Sequence, residues 1–171
     1  MGLGARIVER TGRTPNVTYR WDAETDILTA AVRGGARGKG GLTGSVELEG
    51  ADGSFVVLDV AAGTIRGVEI VVWPDVRTVA TLLPPAEAAE GDVELPQRKA
   101  QEDLVALEVD TPLTIDTNTA ESVFRIRLGP SRRARAVRVA EGMVVEVDEQ
   151  QELAGFWLVG VPPFPHDELV A

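Results

Sequence analysis

An all-β fold built from two repeats is predicted by three features of the chain. Short apolar runs rich in Val, Ile and Leu recur throughout, broken every several residues by Gly, Asp or Pro, the pattern of antiparallel strands joined by tight turns. Residues 17–32 (VTYRWDAETDILTAAV) align without a gap on residues 113–128 (LTIDTNTAESVFRIRL). Residues 55–74 (FVVLDVAAGTIRGVEIVVWP) align in the same way on residues 143–162 (MVVEVDEQQELAGFWLVGVP), with a spacer between blocks that is eight residues shorter in the second copy. In this second pair of blocks Val56/Val144, Val57/Val145, Gly67/Gly155, Val71/Val159 and Pro74/Pro162 are unchanged. The repeated element is an apolar pattern around a fixed Gly and a terminal Pro, which a shared backbone requires.

Each repeat reads as a five-stranded antiparallel meander. In the first copy, strands are expected near 17–21, 27–33, 45–49, 54–60 and 65–73. The turns fall at 22–26, 50–53 and 61–64, and 34–44 forms a long loop. Asp-Gly and Ala-Gly pairs supply the positive φ that hairpin turns need. In the second copy, strands are expected near 113–117, 122–128, 135–139, 143–148 and 153–161. The last strand of each copy is apolar on both faces, so it belongs in the centre of a sheet. Gly67 and Gly155 lie in the middle of those strands, where a bulge or a close backbone approach is expected. Residues 1–76 form the first repeat, 77–112 a linker, 113–164 the second repeat and 165–171 a tail. The linker holds Pro84-Pro85, an acidic Ala/Glu stretch and a short helix near 97–104; 6–9 and 104–109 add flanking strands. Packing the copies about a pseudo-twofold axis, as one sandwich or barrel-like domain, would bury both apolar faces and cover open sheet edges.

At Tyr19, Asp22, Glu24, Asp26 and Leu28, followed by Val57-Leu58-Asp59 and Gly67-Val68-Glu69-Ile70, the chain resembles a small bacterial family of uncharacterised domains. Its pattern runs Tyr-Asp-x-Glu-x-Asp-x-Leu, then Gly-Ile-Glu-Ile, and the chain resembles a tandem duplication of it. Arg20 and Trp21 stand between Tyr19 and Asp22, where the family pattern has none, and the second copy has Asn118, Ala120, Ser122 and Trp157 at the carboxylate positions. The resemblance implies a small β-rich fold with no established activity. Some relatives resemble partners in small bacterial operons of the toxin–antitoxin kind, which implies protein binding.

Composition narrows the chemistry. A chain of 171 residues buries about 70% of its unfolded surface. Hydrophobic residues make up 44% and charged residues 26%, as in a globular protein. No apolar run approaches the ~20 residues that span a bilayer, and the N-terminus lacks a signal-like apolar stretch, so a cytoplasmic location is expected. There is no cysteine, and His166 is the one histidine. That excludes disulfides, thiolate catalysis and Cys- or His-rich zinc sites. No cofactor is expected.

Net charge is −10, which disfavours nucleic acid, but nine of the 17 basic residues fall in 33–44 and 125–138, segments without an acid. Both segments follow the second strand of a repeat. An anion or phosphate site is therefore drawn at Arg33, Arg37, Lys39, Arg132, Arg133 and Arg135. The sequence GGARGKGG is not a P-loop, since its spacing is short and no Ser or Thr follows the Lys. Asp22, Glu24 and Asp26 alternate in a turn, and Glu69 lies on a face where the other copy has Trp157. Oxygen ligands so spaced can hold a divalent cation, although the Gly and Glu of a calcium loop are missing. Trp21, Trp73 and Trp157 are expected in core or intercopy packing, an exposed Trp73 or Trp157 instead marking a partner surface. The leading expectation is a non-catalytic interaction or structural module with a protein partner, or a homo-oligomer paired through sheet edges. The alternatives are the anion or nucleotide binder and a metal-dependent hydrolase on the four carboxylates.

Overall fold

Strands β2 (Asn16–Asp22) and β3 (Ile27–Arg33) pair in register as a hairpin, with Tyr19 opposite Ala30 and Trp21 opposite Leu28. Burial alternates along β3, as expected for a strand with one face on a core. The computed structural model describes residues 2–35, 38, 40–96 and 105–165. Among these, every regular element is a strand. None is a helix, so none is a helix long and apolar enough to cross a membrane. Both sheets are curled, giving a half-barrel.

The first sheet adds β4 (Gly44–Glu49), β5 (Phe55–Ala61) and β6 (Thr64–Val72) to β2 and β3. Its strands run β2-β3-β6-β5-β4. The second sheet is built from β11 (Leu113–Thr117), β12 (Val123–Leu128), β13 (Ala134–Ala140), β14 (Met143–Asp148) and β15 (Leu153–Val159), in the order β11-β12-β15-β14-β13. The two orders are the same, and neither is a meander. In each sheet the chain leaves the second strand, crosses to the far edge and returns, so that the last strand slots in beside the second. That central place suits β6 and β15, whose two faces both carry apolar side chains.

Two of the sheet irregularities fall opposite the mid-strand glycines. The register of β5 on β6 shifts between Asp59 and Val60, opposite Gly67, and that of β14 on β15 shifts between Glu146 and Val147, opposite Gly155. A Cβ on Gly155 would stand 2.5 Å from the Ile126 carbonyl oxygen, and one on Gly67 would stand 3.3 Å from that of Ala30. Each glycine admits a close neighbouring backbone.

The registers correct one detail of the alignment. Gly67 lies opposite Asp59, eight residues back, whereas Gly155 lies opposite Glu146, nine back. The β14–β15 hairpin thus has one residue more than the β5–β6 hairpin, and the gapless alignment matches β6 with β15 but not β5 with β14. A slip of one residue exchanges the faces of a strand. Accordingly Val56 lies in the main core while Val144 lies on the outer face beside Trp157.

The stretch from 77 to 112 is more than a connection. Strand β7 (Val76–Thr78) runs parallel to β11, β8 (Ala89–Glu90) parallel to β13, and β10 (Val105–Asp110) parallel to β4, while β9 (Asp92–Glu94) joins β1 (Arg6–Val8) to β6. Between β7 and β8, Leu82 and Ala88 cover Trp157, Val144 and Val123 on the outer face of the second sheet. The helix expected over 97–104 and His166 lie outside the described residues.

One core joins the sheets. Leu28, Leu58 and Ile70 from the first belong to the same buried cluster as Ile126, Phe156 and Leu158 from the second. The edges interlock as well. The Val17 amide donates to the Glu141 carbonyl (3.2 Å) and the Glu141 amide to that of Pro15 (2.8 Å). The Tyr19 hydroxyl donates to the Gly142 carbonyl at 2.7 Å, and burial pushes its pKa up. Within the first sheet, the Thr111 amide carries the β10–β4 ladder one residue past Asp110 by donating to the carbonyl of Glu49 (3.0 Å).

Candidate functional site

A concavity walled by aromatic side chains opens beside the β2–β3 and β11–β12 turns. Both turns are tied by a polar side chain at the same position. The Asp22 carboxylate accepts from the Glu24 amide (3.0 Å), and the Asp26 amide donates to the Asp22 carbonyl (2.8 Å). The Glu24 amide and then the Thr25 hydroxyl hold the Asp22 carboxyl below the usual carboxylate range. In the other turn, the Asn118 side-chain carbonyl accepts from the amides of Ser122 (2.9 Å) and Val123 (3.2 Å). Each turn places an acidic residue in the left-handed region, Asp26 at φ 60° and Glu121 at φ 54°. That conformation is uncommon outside Gly, Asn and Asp.

Between these turns lies a cleft of about 470 Å³ walled by Trp21, Trp73, Phe124 and Phe164. Trp21 comes from β2, Trp73 directly follows β6, Phe124 comes from β12 and Phe164 follows the Pro162-Pro163 pair. Trp21 and Trp73 stack with ring centres 5.7 Å apart and planes 16° off parallel. Phe164 meets Trp21 edge-on at 5.1 Å, and Phe124 lies 5.5 Å from Trp73. Both indole N–H groups are engaged by backbone, that of Trp21 by the Pro162 carbonyl (2.9 Å) and that of Trp73 by the Asp26 carbonyl (2.7 Å). The indoles are thereby fixed in the cleft wall. Among the described residues, Asp26 and Glu121 are the charged members of its lining.

The residues singled out from the sequence lie elsewhere or serve the fold. Of the carboxylates, Asp22 is spent on its turn and Glu24 is exposed. Glu69 stands half-buried on the outer face of β6, between Thr29 and Val57. Among the described residues no three acidic or histidine side chains group closely enough to hold a metal ion, so the four carboxylates do not converge. Asp26 reaches the site through its turn and not through a carboxylate cluster.

The basic residues do not form one surface among the described residues. Arg33 donates to the Thr18 hydroxyl (3.3 Å), and its cross-strand partner Asn16 bridges to Glu141, beyond the end of β13. Arg132 and Arg133 precede the start of β13, and a seven-residue strand separates its ends by about 20 Å. Arg132 donates to the carbonyls of Leu128 (2.6 Å), Pro130 (2.9 Å) and Leu153 (3.1 Å) and to the Asp148 carboxylate (2.7 Å). Burial pushes the Asp148 carboxyl up, but Arg132 and the amides of Glu152 and Gln150 together hold it lowered. Arg133 faces Glu149 at 3.9 Å and Arg135 is exposed. Arg37 and Lys39 lie outside the described residues.

Trp73 is half-buried, whereas Trp157 is 4% exposed and lies beneath the Arg125 guanidinium, 5.0 Å from its ring centre. The expectation of core packing therefore holds for Trp157, while Trp21 and Trp73 both pack on the core and wall the cleft. Phe164, an aromatic flanked by prolines at the end of the second repeat, was not singled out from the sequence and is seated on Trp21. No model of a known protein family matches the chain, and a search of curated proteins finds no significant match.

Proposed function

We propose that the protein is a non-catalytic binding module, a tandem duplication packed about a pseudo-twofold axis, whose partner docks in the aromatic cleft between its halves. The observation that carries this reading is the cleft itself. Four aromatic rings, two of them fixed by indole–backbone hydrogen bonds, wall a space within the ordinary range for ligand pockets, roughly 300–1,000 Å³. The identical strand order of the two sheets and their matching glycine bulges support the duplication. Duplication also accounts for the position of the cleft, because it brings the β2–β3 turn of one half beside the β11–β12 turn of the other.

The three indole N–H resonances provide the test. In a fragment screen followed by ¹⁵N-resolved NMR, hits are expected to move the Trp21 and Trp73 indole signals and to leave that of Trp157, shielded under Leu82 and Ala88, in place. A library in which no fragment moves the first two signals, or in which hits move only Trp157, would contradict the reading.

A further inference from the structure

The chemistry of the cleft walls is one-sided. A ligand that donates hydrogen bonds or carries positive charge meets acceptors there, and one that accepts or is anionic meets none of its complements. The indole N–H of Trp21 and that of Trp73 are already given to backbone carbonyls. Among the described residues, the remaining lining consists of apolar side chains and two carboxylic acids, with no lysine, arginine, hydroxyl or amide side chain. The charged members, Asp26 and Glu121, belong to turns from opposite sheets, and neither forms an ion pair within the described residues.

Aromatic faces carry negative quadrupole potential and attract cations, most strongly where water is displaced. The net charge of −10 adds to the same preference. Phosphate, carboxylate and nucleotide ligands are disfavoured here on both counts. A small hydrated metal ion is also a poor match, because it needs several converging oxygen ligands and two turn carboxylates do not supply them. A cation with an apolar surface satisfies both the rings and the acids.

We propose that the cleft binds a small organic cation, a tertiary or quaternary alkylammonium ion, with its methyl or methylene groups against Trp21, Trp73 and Phe164 and its charge toward Asp26 and Glu121. This assignment rests on the reading of the cleft as the binding site and gives it a ligand class. Asp26 and Glu121 are both exposed, and each sits at a left-handed turn position, which for Glu121 is an uncommon one for its residue type.

The experiment compares choline with its uncharged carbon isostere, 3,3-dimethylbutan-1-ol, by titration against the full chain while the Trp21 and Trp73 indole resonances are followed. Choline is expected to give saturable shifts of both signals, weakened by added salt, and the isostere to bind at least about tenfold more weakly. Glu121→Gln and Asp26→Asn remove the rim charge while keeping side-chain shape, and Asn tolerates the left-handed position. Each is expected to weaken choline about fivefold with an unchanged melting temperature. Equal affinity for choline and the isostere would overturn the cation assignment and leave the cleft as an apolar binding site. Fragments that move the two signals when choline moves neither would also overturn this assignment alone. Failure of the fragment screen itself would remove the binding reading beneath it.

Discussion

Gly155→Ala is expected to destabilise the protein by about 3 kcal/mol, the upper end of ordinary overpacking, and to lower its melting temperature by roughly 6–12 °C for a chain of this size. The cause is space and not backbone conformation, because Gly155 is not among the residues of positive φ. The new methyl group would sit 2.5 Å from the Ile126 carbonyl oxygen and 3.4 Å from the Arg127 Cα. Both neighbours are backbone in a central strand, so neither can rotate away. β12 and β15 must separate, and the ladder that runs from Val123↔Val159 to Arg127↔Gly155 weakens. The equivalent Gly67→Ala meets the Ala30 carbonyl at 3.3 Å and the Asp59 Cβ at 3.5 Å, so a cost of only about 1 kcal/mol is expected. Denaturant melts of both variants check the difference. Equal losses would mean that the glycines are not retained for backbone approach.

Arg132→Ala is expected to cost about 2–3 kcal/mol, the consequence of leaving several polar groups without their donor. Its guanidinium closes the loop between β12 and β13 through three backbone carbonyls and the Asp148 carboxylate, whose side chain is only 6% exposed. Arg132→Lys should recover little, since an ammonium on a flexible stem cannot reproduce a planar fork with several fixed acceptors. Denaturant melts combined with a phosphate titration separate this from the anion-site reading. A structural arginine gives lower stability, and an anion ligand would give weaker phosphate binding at unchanged stability.

Much of the strand pattern was legible because it depends on local chemistry. β2, β3, β11 and β12 fall where alternation and turn residues put them, and each of the ten expected strands of the repeats is present. The bulges at Gly67 and Gly155 were legible for a similar reason, as glycine in mid-strand is costly unless the backbone uses it. Strand order was not legible. Whether β4 follows β3 across the sheet or crosses to the far edge depends on long-range pairing, and a meander has the same local pattern. The extra residue before β15 was hidden because β5 and β14 each carry adjacent branched apolar residues, Val56-Val57-Leu58 and Val144-Val145, so a shift by one still aligns apolar on apolar. β7, β8 and β9 span only two or three residues, too few to show a period.

The site was the least legible part. Its charged members, Asp26 and Glu121, lie 95 positions apart and occupy equivalent turns only once the halves pack. Trp21 and Trp73 read as core residues because they are core residues on one side. Their indole N–H partners, the Pro162 and Asp26 carbonyls, leave no side-chain signature in the sequence. The arginines that stood out by clustering are instead largely drawn into local loop and ion-pair contacts, as at Arg132 and Arg133.

Cleft and function both depend on the two sheets forming a single cooperative body. Ile70 and Ile126 are fully buried, one in each sheet, and belong to the same core. Ile70→Val and Ile126→Val each remove one methylene at a cost of about 1 kcal/mol without disturbing the cleft. Equilibrium unfolding of both variants, followed in parallel by far-ultraviolet circular dichroism and tryptophan fluorescence, is the most direct measurement. One shared transition, displaced as a whole by either substitution, is predicted. Two transitions, each moved by only one of the substitutions, would contradict it.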